Sequence, residues 1–430
     1  MTMALTRREA RTREAWAGEG GGIRTSIRHR SRRRGPNINV DVNGSGSGRG
    51  RIAAIDGLRA LAVLGVMAFH FGLPLGGGFL GVDLFFVISG FVITRMLLAQ
   101  WANPGGVRLG QFWVSRVKRL LPALVTVLLA VQLWMHVGAG YPMQKAANGQ
   151  TLAALVYGSN WFEIFNDGGY WQVDSSLAPL THLWSLAVEE QFYLIWPLVL
   201  IVLMRRMPTR LRVAIVAVGA TLAYLLAAVL ADPANTDRVY QGTDTRSGAL
   251  LLGALAALVV GSHLSTWVTR WWAGAASVVV LAVLWVVADG GTLEFYAWQL
   301  PSAGLAAAVL VSHLARGGAL LTRALGWRLL GVVGAISYGL YLWHWPVWVF
   351  LTSTPFIAAP VAQIVVAFTA SFVLAAGSFV LIERPIRRMS GRTGWILGAL
   401  VVAVVITALS AMLFQPDAPA EQTTGIIVTN

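Results

Sequence analysis

The sequence predicts an all-α integral membrane protein, and three observations carry that prediction. Hydrophobic residues make up 56% of the 430 residues and charged ones only 12%, more apolar surface than one water-soluble core can hide. Eleven windows of about 20 mostly apolar residues, the length that crosses a bilayer, follow one another along the chain. The basic residues between those windows collect on alternate loops, as short cytoplasmic loops require.

Residues 1–51 precede the first window and hold 12 of the 33 basic residues, all arginines, beside four acids. They end in the linker-like run Asn43 to Gly50 and read as a disordered basic cytoplasmic tail. Within it, Arg28 to Arg34 either docks on anionic lipid, at roughly 1 kcal/mol per charge, or belongs to a dispensable extension. The expected spans are 57–75, 79–99, 121–139, 180–203, 211–231, 247–263, 272–288, 299–316, 330–351, 360–382 and 394–414.

With the amino terminus inside, the inner loops collect sixteen bases, Arg108, Arg205, Arg206, Arg270, Arg387 and Arg392 among them, and the outer loops only Lys145, Arg238 and Arg246. The outer segments carry ten acids, including Glu163, Asp167, Asp174, Asp237 and Asp289. A crossing by the modestly apolar stretch 149–165 would invert every later loop, so 141–179 is placed on the outer face, partly re-entrant. The expected organisation is a tail over 1–51, a membrane domain over 52–390, an eleventh helix over 391–414 and a short extracytoplasmic tail over 415–430. Such a chain is multi-pass in the plasma (cytoplasmic) membrane, with its amino terminus inside, its carboxyl terminus outside and lipid as its main partner.

The formal charge of +14 invites a nucleic-acid reading, but its concentration in the tail and the inner loops gives it a topological one instead. The sequence holds no cysteine, which excludes disulfides, thiolate nucleophiles and cysteine metal sites.

Ionisable side chains at membrane depth cost several kcal/mol unless partnered, so each is a candidate functional residue. In the first span, Arg59 and His70 are eleven residues apart, which places both on one helical face roughly 16 Å apart along the axis. His70 alone would read as a structural histidine in a helix seam; an intramembrane arginine on the same stripe makes it a candidate for chemistry. Asp83, near the outer end of the second span, either orients a first-span histidine or faces water. The fourth span begins with His182, Ser185 and Glu189 on one face, while Glu190 points elsewhere; the two carboxylates suit proton handling or an ion pair with Arg59 or Arg246.

In the ninth span Ser337, Tyr341 and His344 form another polar stripe. Three histidines on three spans raise the question of a metal, but neither close pairing nor a cysteine ligand supports one, so no metal is expected. Arg116 and Arg119, three apart at the cytoplasmic boundary, fit either a phosphate clamp or an ordinary membrane anchor.

From about Ile55 to Arg388 these segments resemble the acyltransferase-3 family of integral membrane O-acyltransferases. The resemblance rests on Asp56-Gly-Leu-Arg59 through His70, the Gly78-Phe-Leu-Gly-Val-Asp83 segment with its continuation to Phe91, and the Arg116-x-x-Arg119 pair. It continues through His182-Leu-Trp-Ser-Leu-Ala-Val-Glu189-Glu190-Gln-Phe-Tyr193, Tyr341-Leu-Trp-His344-Trp-Pro346 and Glu383-Arg-Pro. It implies a ten-helix acyltransferase core plus one extra C-terminal transmembrane helix, with Arg59 and His70 essential, His70 as general base, and Arg116 and Arg119 binding acyl-CoA. Relatives that act on cell-wall glycans often add an extracytoplasmic esterase-like domain; the sixteen residues after the eleventh helix leave no room for one in this sequence.

The resemblance further implies acyl-CoA, with acetyl-CoA as the default, as donor, and a hydroxyl of a cell-envelope glycan, glycolipid or similar molecule as acceptor. In that scheme Asp83 or Glu189 orients His70, and Arg59 or Tyr193 stabilises the oxyanion. A covalent acyl group on Ser185, a tyrosine or His70 is an alternative to direct transfer. His182, Glu190, Arg246, Tyr341, His344 and Glu383 complete an expected polar pathway. Without the resemblance, the buried charges fit a proton-coupled exporter of a glycan or lipid as well as an acyl-transfer enzyme.

Overall fold

The computed structural model describes residues 52–414 apart from 139, 167–170, 172–177, 234–235, 261–266, 318, 355–356, 358 and 390–392. The expected tails 1–51 and 415–430, and the charges at Asp167, Asp174 and Arg392, lie outside the described residues.

A chain in lipid has no water to satisfy its peptide groups, so helices are the natural solution here, and among the described residues there is no strand. α1 (Ala53–His70) leads through a 3₁₀ turn at Gly76–Leu80 into α2 (Gly81–Trp101), followed by α3 (Leu109–Gly138), α4 (Tyr141–Leu155) and α5 (Ser159–Phe165). A second 3₁₀ turn, Thr181–Leu183, opens α6 (Trp184–Arg206); α7 (Thr209–Leu230), α8 (Thr236–Gln241), α9 (Thr243–Val259) and α10 (Trp271–Val287) come next. A π turn at Phe295–Gln299 enters α11 (Leu300–Ala315), then α12 (Ala319–Leu325), α13 (Arg328–Ala335), α14 (Ser337–Ser353) and α15 (Pro360–Ser378). The π turn Phe379–Glu383, α16 (Arg384–Arg388) and α17 (Thr393–Leu413) complete the molecule.

Among the described residues, eight helices, counted with their flanking turns, are long and apolar enough to cross a membrane. The other three expected spans occur as the 17-residue helices α9, α10 and α14. α3 starts twelve residues before the span expected at 121–139, so the span and the helical surface expected to carry Arg116 and Arg119 form one helix. The stretch 149–165 divides into the ends of α4 and α5, which break at Tyr157, where φ is +54°.

α2 is the axis of the bundle: 72% of its apolar window is buried, against 22% for α15 and α17, whose Val365, Val373, Val401 and Ile406 remain exposed as a lipid-facing surface must. α2 and α9 touch backbone to backbone. A Cβ on Gly90 would lie 1.9 Å from the Leu250 carbonyl, and one on Gly253 would lie 2.0 Å from that of Val87. This small-residue packing is the usual way for helices to approach closely in lipid. The reciprocal register, with Asp83 opposite Arg246 and Gly90 opposite Gly253, runs the two helices parallel, so the chain between them reverses direction an even number of times and crosses an odd number. α3, α6 and α7 are the long helices in that interval.

Candidate active site

Helical spacing gives α2 two faces. Asp83, Val87 and Gly90 turn to α9, while Val82, Phe85, Phe86 and Ser89 turn to α6, α1 and a cavity between them. On the first face, Arg246 Nη2 donates to Asp83 Oδ2 at 2.8 Å, and the pair is essentially sealed from solvent. The guanidinium also lies 4.6 Å from the centre of the Tyr240 ring, 5.7 Å from Trp184 and 6.0 Å from Phe86. Asp83 is therefore committed to Arg246. It is not placed to orient a first-span histidine as expected, because its position on α2 faces α9.

The second face opens on a small cavity of about 30 Å³. Arg59, Ser185, Glu189, Ser337 and Tyr341 supply its polar walls, and Val82, Phe85, Phe86 and Leu186 its apolar ones. A smaller cavity, lined by Glu190, Tyr157 and Ser159, lies behind Leu186 and Tyr338, which line both. The polar stripes of α1, α6 and α14 thus converge, since their 3.6-residue repeat turns each stripe inward.

At one end of this track His70, the last residue of α1, meets α14. Its Nδ1 lies 2.8 Å from His344 Nε2, the two ring planes inclined by only 13° with centroids 5.0 Å apart. His344 Nδ1 lies 2.7 Å from the Tyr341 carbonyl. The ring of His182 packs edge-on against that of His344, and its Nε2 donates to the Leu342 carbonyl at 3.2 Å. That carbonyl is available because Pro346, four residues on, has no N–H for it. Trp345 is 4.8 Å from the His70 ring and is itself held by the Ala178 carbonyl at 3.0 Å.

Midway, the Ser185 hydroxyl is 2.6 Å from that of Tyr341, which donates to the His182 carbonyl at 2.9 Å. Neither partner can accept a proton outright, so these contacts do not activate Ser185 as a nucleophile. Glu189 accepts from both Ser89 and Tyr193. Tyr193 therefore spends its proton on Glu189, and of the two expected oxyanion donors Arg59 is the one on the cavity wall.

The other end is crowded with guanidinium groups: Arg119 is close enough to Arg59, Arg116 and Arg387 for mutual repulsion. Arg116 is 8% exposed, yet its Nη2 meets only the Met96 thioether at 3.7 Å and its Nε has no hydrogen-bond partner. Glu190 lies near Arg116 and Arg119 rather than Arg246, and buried Glu383 faces Arg119 and Arg387. An anion with several oxygens fits this cluster chemically, because it would satisfy donors the fold leaves idle.

Two participants escaped the sequence reading. Ser89 completes a one-face spacing with Val82 and Phe85 as its only polar member, a signal that was present. Gln150 was not legible: its amide donates to Glu163 at 2.7 Å and to Thr181 at 2.9 Å, and its oxygen accepts from Leu180 N at 3.0 Å, bracing the turn that carries His182. Burial pushes the Glu163 carboxyl up to about 7, the Gln150 amide opposing that shift. Among the described residues, no group of three or more His, Cys, Asp or Glu side chains is arranged to hold a metal ion.

The profile of the acyltransferase-3 family, described as an acyltransferase domain, matches residues 52–415. The chain is 36% identical over 356 residues to YrhL of Bacillus subtilis, covering 80% of this chain and 56% of that protein. It is 34% identical over 348 residues to the peptidoglycan O-acetyltransferase OatA of Listeria monocytogenes, covering 78% of this chain and 56% of that protein. The chain thus matches a little over half the length of these relatives. No solved structure matches it.

Proposed function

The chain belongs to the acyltransferase-3 family of membrane enzymes, and on that footing we propose that it transfers an acetyl group from cytosolic acetyl-CoA to a hydroxyl of a cell-wall glycan. The observation that carries the reading is the polar cavity walled by Arg59, Ser185, Glu189, Ser337 and Tyr341, with Arg119 near Arg59 and Arg116 on one side and the His344–His70 pair beside Tyr341 on the other. A thioester donor carries phosphates at one end and the acyl group at the other, and this arrangement offers guanidinium groups for the first and a base for the second.

In this mechanism Arg116 and Arg119 hold the donor phosphates, and the donor's arm passes Arg59 through the cavity so that the thioester reaches His70. His70 takes the proton of the acceptor hydroxyl as its oxygen attacks the thioester carbon, a contribution of roughly 10²- to 10⁴-fold. The C–S bond breaks, the ester C–O bond remains, and the proton passes from His70 to the departing thiolate. Direct transfer is favoured over an acyl-Ser185 intermediate because Ser185 contacts no base.

The arginine end faces the cytosol in this proposal and His70 faces outward, the orientation supported by the sorting of basic loops in the plasma membrane. The natural absence of cysteine allows a direct check of that orientation. A single cysteine at Asp289 should react with an impermeant maleimide on intact cells, and one at Arg210 should not; the reverse pattern overturns the orientation.

The activity itself is tested with radiolabelled acetyl-CoA and cell-wall glycans, in membranes carrying wild type or His70→Ala at matched expression. Label in the glycan with wild type and its loss with the variant is the expected result. Equal label in both removes His70 from the chemistry, and none in either, with folded protein, refutes the donor or the acceptor.

A further inference from the structure

We propose that His344 is a positioning residue that fixes the tautomer of His70, placing its proton on Nδ1 and its lone pair on Nε2. The inference rests on His70 being the base and adds which of its nitrogens does the work and what selects it.

The Tyr341 carbonyl oxygen has an unambiguous role. The Tyr341 carbonyl can accept but never donate, so His344 Nδ1, at 2.7 Å, must carry a hydrogen. A neutral His344 then has its lone pair on Nε2. His70 Nδ1, 2.8 Å from that lone pair, must be the donor. A neutral His70 that donates from Nδ1 keeps its own lone pair on Nε2. The sequence of roles follows from one backbone oxygen.

Doubly protonated His344 would also satisfy the distances, with the roles at His70 reversed. It would place a cation on a ring that is 0% exposed and whose nitrogens face a carbonyl and another imidazole, a costly burial. His182 adds no proton to the pair, because its Nε2 hydrogen is committed to the Leu342 carbonyl freed by Pro346. The 13° angle between the two ring planes lets the His70 Nδ1–H point along the plane at His344 Nε2, which fixes the His70 ring plane as well as its proton. Histidine bases are commonly oriented by a carboxylate or a carbonyl; here a second imidazole fills that place, relaying the polarity of a carbonyl one ring away.

The test compares wild type, His344→Gln, His344→Leu and His70→Ala in the acetyl-transfer assay. A glutamine oxygen can accept from His70 Nδ1, so His344→Gln should keep kcat within about tenfold, whereas His344→Leu should lose about 100-fold or more of kcat. The KM for acetyl-CoA should stay within about threefold in both, because the donor site is at the other end of the track. Nitrogen-15 NMR of histidine-labelled wild type should show His70 protonated on Nδ1 and bare on Nε2.

Full activity in folded His344→Leu overturns the inference, and so does an Nε2-protonated His70 in the wild type, the measurement that decides if His344→Leu does not fold. The two failures are separable. Inactive wild type sinks the proposed function, while active wild type, inactive His70→Ala and active His344→Leu sink only the role of His344.

Discussion

Removing either member of the Asp83–Arg246 pair should destabilise the protein more than removing both. The pair is sealed from solvent, with side-chain exposures of 2% and 0%, so each charge depends on the other for compensation. Breaking a buried pair on one side typically costs about 3–5 kcal/mol, whereas replacing both members by apolar residues of similar volume is often neutral or stabilising. The two single variants should also differ. Arg246→Met leaves a carboxylate that can escape by taking a proton, which caps its penalty near 4 kcal/mol at neutral pH. Asp83→Leu leaves a guanidinium that cannot lose its charge. The Tyr240, Trp184 and Phe86 rings soften that cost by about 1–2 kcal/mol without cancelling it.

The assay is the thermal midpoint of the detergent-solubilised protein. The expected order is wild type close to the double variant, then Arg246→Met, then Asp83→Leu lowest. Additive losses, with the double variant below both singles, would refute the reasoning, because they would mean the two charges do not compensate each other. The double variant also asks whether Asp83 belongs to the chemistry: it should retain acetyl transfer, and a well-folded but inactive double variant would return Asp83 to the site.

Three more predictions follow from the same physical picture. Glu163 is held with its carboxyl raised to about 7 from an ordinary value of 4.5, so its contribution to stability is complete below about 4.5 and is lost as pH rises through about 7. The wild-type midpoint should fall relative to Glu163→Gln between pH 5 and pH 8, by the equivalent of at most about 3 kcal/mol, and parallel curves would contradict the burial argument. Arg116→Gln or Arg119→Gln should raise the KM for acetyl-CoA about 10- to 100-fold, the worth of a charged hydrogen bond, with kcat little changed; an unaltered KM would return both to the role of membrane anchors. Gly90→Ala should cost about 3 kcal/mol or abolish folding, because its Cβ would meet a backbone oxygen, while Gly398→Ala, with nothing within 4 Å, should be neutral or slightly stabilising. Equal tolerance at the two glycines would show that α2 and α9 do not touch.

What could be read from the sequence was what a single helix encodes. The spacings of Arg59 with His70, of His182 with Ser185 and Glu189, and of Ser337 with Tyr341 and His344 put each set on one face; Arg59, Ser185, Glu189, Ser337 and Tyr341 line one cavity, and the three histidines meet one another. What could not be read was which face meets which. Asp83 looked available to a histidine because the two are near in sequence across a short turn, but the register of α2 against α9, set by two glycines 163 positions apart, points it at Arg246. The partner of His70 lies 274 residues away, a pairing that no local pattern holds. Helix bounds failed where hydropathy is uninformative: α3 runs on through basic residues, Arg116 among them packed inward, α9 keeps its window's length but starts four residues earlier, and α14 is shorter than the window that marked it.

Pro346 gives the molecule a wider lesson. A proline inside a membrane helix is usually entered as a defect, a rung missing from the ladder. Here the missing rung is an outlet, because the idle oxygen at Leu342 reaches sideways to a ring on another helix and dictates which of its nitrogens is bare. A proline can thus write chemical information into a neighbouring helix at a fixed address, four residues upstream of itself. Any intramembrane proline that follows a functional histidine by two positions invites a search at that address for the side chain it instructs.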